Sequence, residues 1–206
     1  MGAPIVILGT GGFSRVVAEA CSSAGRSVAG FLGPEADGAS AAYLGGDERL
    51  DEPSFVGEHE FVVAIGDQRI RAQLCRRLAG LGGRLATIVD PSATVAPSAR
   101  LGPGSVVIAG AAVGTGSIIG GWVIVNINAT VDHDARLDDG VHICPGATLA
   151  GDVTCGEGAF VGTGASVMRG IEIGANAIIG AGAAVIRNVA PGATAVGVPA
   201  REVKRA

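Results

Sequence analysis

From Val89 to Val185 an aliphatic residue returns at every sixth position without a break in register. The series runs Val89, Val95, Leu101, Val107, Val113, Ile119, Val125, Val131, Leu137, Ile143, Leu149, Cys155, Val161, Val167, Ile173, Ile179 and Val185, and only Cys155 is not aliphatic. Three residues after these 17 positions stands Gly, Asn or Asp in 14 cases. Those residue types tolerate a left-handed backbone at a sharp turn. Four residues after comes a small or β-branched residue, which is Ala in ten cases. Such a hexapeptide period predicts a parallel β-helix of triangular section, with three hexapeptides to each coil of 18 residues. Residues n and n+18 are then vertical neighbours, on coils stacked about 4.8 Å apart. The register is expected to hold to the end of the repeat, which stops after Val189 at Pro191-Gly192.

Ahead of the repeat the pattern alternates between strand and helix. Ile5 to Leu8 is a short apolar run, followed by Gly9-Thr10-Gly11-Gly12 and a predicted helix from Ser14 to Ala24, with Gly25 as its stop. Ser27 to Leu32 predicts a second strand, Gly33 to Ser40 a loop, and Phe61 to Ile65 a third strand ending at Gly66-Asp67. A helix over Gln68 to Leu81 carries Ile70, Leu74, Leu78 and Leu81 at helical spacing. Strand–helix alternation implies a small parallel sheet. The expected fold class is therefore α/β followed by all-β: a reduced Rossmann-like domain over 1–88, a β-helix over 89–190, and a cap over 191–206.

Composition narrows the functions. Glycine accounts for 35 of 206 residues and aromatics for 3%, so the core must be layered from small and branched side chains. The net charge of −4 leaves no basic stripe to neutralise a nucleic acid backbone. No apolar run of about 18 residues predicts a membrane-spanning helix. The start, Met1-Gly2-Ala3-Pro4, shows no basic leader, and Cys21, Cys75, Cys144 and Cys155 form no paired framework. A cytoplasmic protein with reduced thiols is expected.

Coil arithmetic places candidate chemistry. His133 is flanked by Asp132 and Asp134, and a neighbouring carboxylate suits an imidazole to general-base work near neutral pH. A hydrated turn histidine is the alternative. One coil further stands Gly151, then Arg169 and Arg187 in the same column. His142 lies half a coil from His133 and falls on another face, with a packed interface histidine as its plain reading. His59, in a polar loop, is read as surface. Trp122 stands where Gly or Asn is expected, a strained position that points to a functional role or, as the plainer reading, to a hydrophobic anchor in a subunit interface.

The repeat, Asn126-Ile127-Asn128-Ala129-Thr130-Val131-Asp132-His133-Asp134, Val141-His142-Ile143-Cys144-Pro145-Gly146-Ala147 and the front Gly9-Thr10-Gly11-Gly12 together resemble one family. It is the left-handed β-helix sugar acetyltransferases, which include nucleotide-linked 4-amino-sugar N-acetyltransferases and sialic-acid O-acetyltransferases. The resemblance implies His133 as general base, Asp134 as its orienting partner, and the Gly151 N–H facing the thioester carbonyl of acetyl-CoA. It implies His142 and Asn126 near the acceptor, and CoA in a groove between subunits of a homotrimer. His142, Gly151, Thr163 and Ala181 are assigned to that groove. The glycines Gly9, Gly11 and Gly12 would receive a diphosphate, and Gly66 and Asp67 match positions beside the nucleotide. A strand-end turn with Asp67 as helix cap is the alternative for that pair. The sequence departs from the family in having Phe13 and Arg15 after the glycines, and Gly33-Pro34-Glu35 where a pair of aspartates is usual; Glu35 is the candidate substitute. Arg169 and Arg187, with Arg201 or Lys204 from the tail, are candidates for the CoA phosphates, or else solvated corner residues.

The expected activity is transfer of acetyl to the 4-amino group of a nucleotide-linked 4-amino-4,6-dideoxy sugar, with sugar O-acetylation as the alternative. A zinc hydratase of the same helix type needs three converging histidines, and only His133 and His142 lie in the helix. No metal is therefore expected. A structural or ice-binding helix needs regular outer ladders, which the irregular outer positions do not supply.

Overall fold

The computed structural model describes residues 2–34 and 42–203; Glu35 and Lys204 lie outside the described residues. The front half is a parallel sheet. Its strands are β1 (Ile5–Leu8), β2 (Val28–Leu32), β3 (Tyr43–Gly45), β4 (Glu60–Val63) and β5 (Arg84–Leu85), in spatial order β3-β2-β1-β4-β5. All four β1 residues are fully buried, as a central parallel strand covered on both faces requires. Helix α1 (Gly12–Ser23) lies on one side, and α2 (Pro53–Glu58) and α3 (Gln68–Gly80) contribute to the packing of the other. The elements between Tyr43 and Glu58, and strand β5, carry no strong period and were not expected.

The stripe expected on α3 is rotated. Ile70 and Leu81 are 49% and 45% exposed, and the buried set is Arg71, Leu74, Cys75 and Leu78. Arg71 is turned inward, where four main-chain carbonyls receive its guanidinium and meet the bonding a buried polar group requires.

The rear half is the expected parallel β-helix, built from two-residue strands between β6 (Ile88–Val89) and β22 (Ala184–Val185). The second residue of each strand is the sixth-position residue of the repeat, aliphatic in all but Cys155. From Val107 onward these residues form one buried column with the Ala and Val four positions later. Each fully buried Val or Ile contributes about 1.5–3 kcal/mol. Stacked residues pair at an offset of 18, as Thr130 with Thr148 and Thr148 with Ser166. Corner residues adopt left-handed φ where the sequence required it, at Asn128 (53°), Asp134 (56°), Asp152 (61°) and Asn176 (56°).

The register holds through Val185 and then shortens. Val189 bridges Ile173, and β23 (Thr194–Val196) pairs Thr194 with Ile178, so the last coil is two residues shorter than the others. The coil thus runs past Pro191-Gly192, where the repeat was expected to end. Strand β24 (Arg201–Val203) folds back antiparallel on β23.

The two halves share a core. On one face of the β-helix the outward side chains are Ile88, Val106 and Ile124, and these join Ile5, Ile7, Val17, Cys21 and Phe31 in one cluster. The equivalent outward positions on the other faces include Thr94, Thr130 and Thr148, or Arg100, Arg136 and Glu172. The front domain therefore docks on the apolar face. Trp122 completes the joint. Its backbone is left-handed (φ 43°), which costs an L-residue about 1–2 kcal/mol. Its ring packs against the cluster containing Leu8, Phe61 and Leu74, so within the chain it joins the two halves.

Candidate active site

His133 projects from the corner that follows Thr130-Val131. The left-handed turn at Asp134 brings that carboxylate to the ring, and His133 Nδ1–H donates to Asp134 Oδ2 at 2.9 Å. The backbone N–H of His133 donates to Asp132 Oδ1 at 2.8 Å. The hydrogen bond from Asp134 holds the imidazole pKa above its ordinary 6.5, and the charges of Asp132, Asp134 and Asp152 act in the same direction. With Nδ1 committed, Nε2 is the free basic nitrogen.

Gly151 lies one coil above, where the arithmetic put it, with a close approach as the consequence. A Cβ built on Gly151 would enter the His133 imidazole, with Nε2 its nearest atom. Only glycine fits while the ring holds this position. The Gly151 carbonyl accepts from Gly170 N–H at 3.0 Å, and Asp152 N–H donates to the His133 carbonyl at 3.0 Å, so both sides of the pair are fixed by the coil.

Arg169 lies in the expected column but is engaged within the chain. It donates to Asp152 Oδ2 through Nε (2.7 Å) and Nη2 (2.6 Å). His133, Asp134 and Asp152 have ligand atoms within 4.8 Å of one another. Nδ1 of His133 is bonded to Asp134 and Asp152 to Arg169, so the trio is an ion-pair cluster more than a set of ligands. Arg187, Thr163, Ala181 and Arg201 are all exposed. Thr163 and Ala181 stack on adjacent coils, as Gly182 N–H donates to the Thr163 carbonyl.

The second cluster lies on the apolar face, against the front domain. His142 is 6% exposed, between the rings of Phe160 (5.2 Å, edge-on) and Phe13 (6.3 Å). Asn126 Nδ2–H donates to His142 Nε2 at 3.3 Å, which leaves the ring proton on a buried Nδ1 that has no partner among the described residues. Burial pushes the His142 pKa down to about 4, and the Arg71 charge adds to this. His142 is thus a neutral, packed histidine at a domain joint. His59 is half-buried and packs on Phe55 at 4.6 Å, with Nδ1–H donating to the Phe55 carbonyl.

The glycine turn faces the same joint. Gly9 (φ 121°) is required because a Cβ there would come 2.8 Å from the Ala64 carbonyl. Gly11 faces open space, and a Cβ on Gly12 would meet only Arg15 Nη2, at 3.9 Å. Gly11 caps α1 with no side-chain bond, and no acidic residue sits in the first turn, so the N–H groups there suit an anion. Asp67 proves to be the cap of α3, accepting from Arg69 N–H (2.9 Å) and Ile70 N–H (3.0 Å). Gly66 precedes it, with its carbonyl bonded by Arg71.

Arg71 was missed by sequence reading. The signal was an arginine one position from an apolar stripe, which ordinarily reads as solvated. The cysteines carry no nucleophile: burial pushes Cys75, Cys144 and Cys155 up to about 12 and Cys21 to about 11.

Comparison with known proteins agrees with this fold. The PglD N-terminal domain family matches residues 4–78, and the bacterial transferase hexapeptide (six repeats) family matches residues 152–187. No curated protein matches the chain. A mutant of perosamine N-acetyltransferase from Caulobacter crescentus, solved with CoA and GDP-perosamine, is 40% identical. The match covers 98% of this chain and 97% of that one, with a TM-score of 0.94. The acetyltransferase domain of PglB from Neisseria gonorrhoeae, solved with acetyl coenzyme A, is 37% identical over 98% and 100% of the two chains, with a TM-score of 0.92. WeeI from Acinetobacter baumannii shares the fold at 24% identity, with a TM-score of 0.85.

Proposed function

The chain belongs to the left-handed β-helix, hexapeptide-repeat sugar acetyltransferases, and from that premise we propose that it transfers acetyl from acetyl-CoA to the 4-amino group of a nucleotide-linked 4-amino-4,6-dideoxy sugar. The observation that carries the reading is the His133–Asp134 pair lying under Gly151. The amine attacks the thioester carbonyl directly. His133 Nε2 takes the proton from the resulting ammonium, and Asp134 holds the ring and steadies the imidazolium. The Gly151 N–H stabilises the oxyanion. Collapse expels the CoA thiolate, which takes the proton from His133.

The glycine turn and the α1 N-terminus take the diphosphate, with Asn126 and His142 lining the way to the corner. Asp67, as the α3 cap, acts by shaping the Gly66 turn. CoA lies along the column of Thr163 and Ala181 and towards Arg187 and Arg201. His133, Asp134 and Arg169 sit at an exposed corner, so the groove needs a second wall, and a homotrimer supplies it.

The test is a screen of GDP-, UDP- and dTDP-linked 4-amino-4,6-dideoxy sugars, read as CoA release. An amino sugar should be acetylated and its 4-hydroxy counterpart left untouched. Transfer to a sugar hydroxyl alone would replace the reading with O-acetylation.

A further inference from the structure

Arg71 is the one fully buried cation described in the structure, and the chemistry above does not use it. Its Nε–H donates to the Trp122 carbonyl (3.0 Å). Nη1 donates to the carbonyls of Ile65 (2.8 Å) and Gly66 (3.1 Å), and Nη2 to that of Gly140 (2.6 Å). Two acceptors belong to the front domain and two to the β-helix. None is a carboxylate. A buried charge without an ion partner carries a desolvation cost, which an aliphatic side chain filling the interface would not carry. The guanidinium supplies direction instead: a planar fork that fixes several acceptors at once.

The acceptors lead to the site on both sides. Trp122 and Gly140 are corner residues of adjacent coils, four residues before Asn126 and two before His142. Ile65 and Gly66 follow β4, and that turn touches the glycine turn, since the Ala64 carbonyl is what a Cβ on Gly9 would meet. The Arg71 charge also helps to keep His142 neutral.

We propose that Arg71 is a positioning residue for acetyl transfer, locking the Gly66 turn of the nucleotide-binding half onto the β-helix corner that carries Asn126 and His142. The proposal rests on the functional reading above. An acceptor held by its nucleotide reaches the thioester only if the two halves keep a fixed spacing, whereas acetyl-CoA is held without the front domain.

The test compares wild type, Arg71→Lys and Arg71→Met on two acceptors: the nucleotide-linked amino sugar, and the same 4-amino sugar as its 1-phosphate. Melting curves check that each variant folds, and Arg71→Gln, which keeps two N–H donors, replaces any that does not. For the nucleotide-linked acceptor kcat should fall about 10–100-fold, the cost of misplacing a reactant by about 1 Å. The KM for acetyl-CoA should hold. On the sugar phosphate the loss should be clearly smaller, since no nucleotide then ties the acceptor to the front domain. Equal losses on both acceptors, or no loss, would overturn the positioning role alone. A wild type inactive on every nucleotide-linked amino sugar would overturn the functional reading, and this proposal with it.

Discussion

Gly151 stands one coil above His133, and its missing side chain is the space that the imidazole occupies. The coil therefore couples the base to the backbone amide proposed as oxyanion donor. Gly151→Ala should push the ring from its place. Turnover should fall by roughly 10²–10⁴, as for loss of a general base, while CoA binding persists. In a His133→Ala background the same alanine should cost little further. Additive losses in the double variant would show that the two residues act independently.

Asp134 should set the pH profile. Wild-type kcat/KM should have an acid limb above pH 6.5, because the Asp134 hydrogen bond raises the His133 pKa and the base works only when neutral. Asp134→Asn removes the charge, so the pKa falls and the limb should move to lower pH. The plateau should fall as well, since the ring loses its orienting partner. An unmoved limb would show that the titrating group is not His133.

The two column arginines should separate. Arg169 neutralises Asp152, so Arg169→Ala leaves an unpaired carboxylate near His133, and the acid limb should move to higher pH. Arg187→Ala should instead raise the KM for acetyl-CoA, with a defect that shrinks as salt rises. A rise in acetyl-CoA KM for Arg169→Ala, with its pH profile unchanged, would assign Arg169 to the cofactor phosphates.

His142 should make stability depend on pH. It is neutral in the fold down to about pH 4 but takes a proton near 6.5 when unfolded, so stability should fall as pH drops through that window. The full shift corresponds to about 3 kcal/mol. Denaturant melts of wild type and His142→Gln across pH 4–7 should diverge, with the variant less steep. Parallel curves would mean that His142 is protonated in the fold.

Much of this was legible in the sequence. The hexapeptide period located the interior residues and the left-handed corners, because a solenoid repeats one local geometry and each repeat reports it again. The same arithmetic placed Gly151 over His133. Other features depend on contacts that periodicity does not encode. Arg71 and Trp122 each break a local rule, the first a buried charge and the second a bulky left-handed residue; two carbonyls from each half of the chain receive Arg71, and Trp122 packs on the front half. Ile88, Val106 and Ile124, the apolar outward positions of every third hexapeptide, were not singled out among outer positions read as irregular, and the packing shows that they form a covered face. The shortened last coil follows from a two-residue skip after Val185 that only the strand pairing reveals.

The most direct test is the steady-state turnover of His133→Ala, with acetyl-CoA and the nucleotide-linked 4-amino sugar that wild type accepts. Turnover at neutral pH should drop by roughly 10²–10⁴, the contribution of a general base, with acetyl-CoA affinity and melting temperature preserved. Turnover close to wild type would contradict the assignment of His133 as the base.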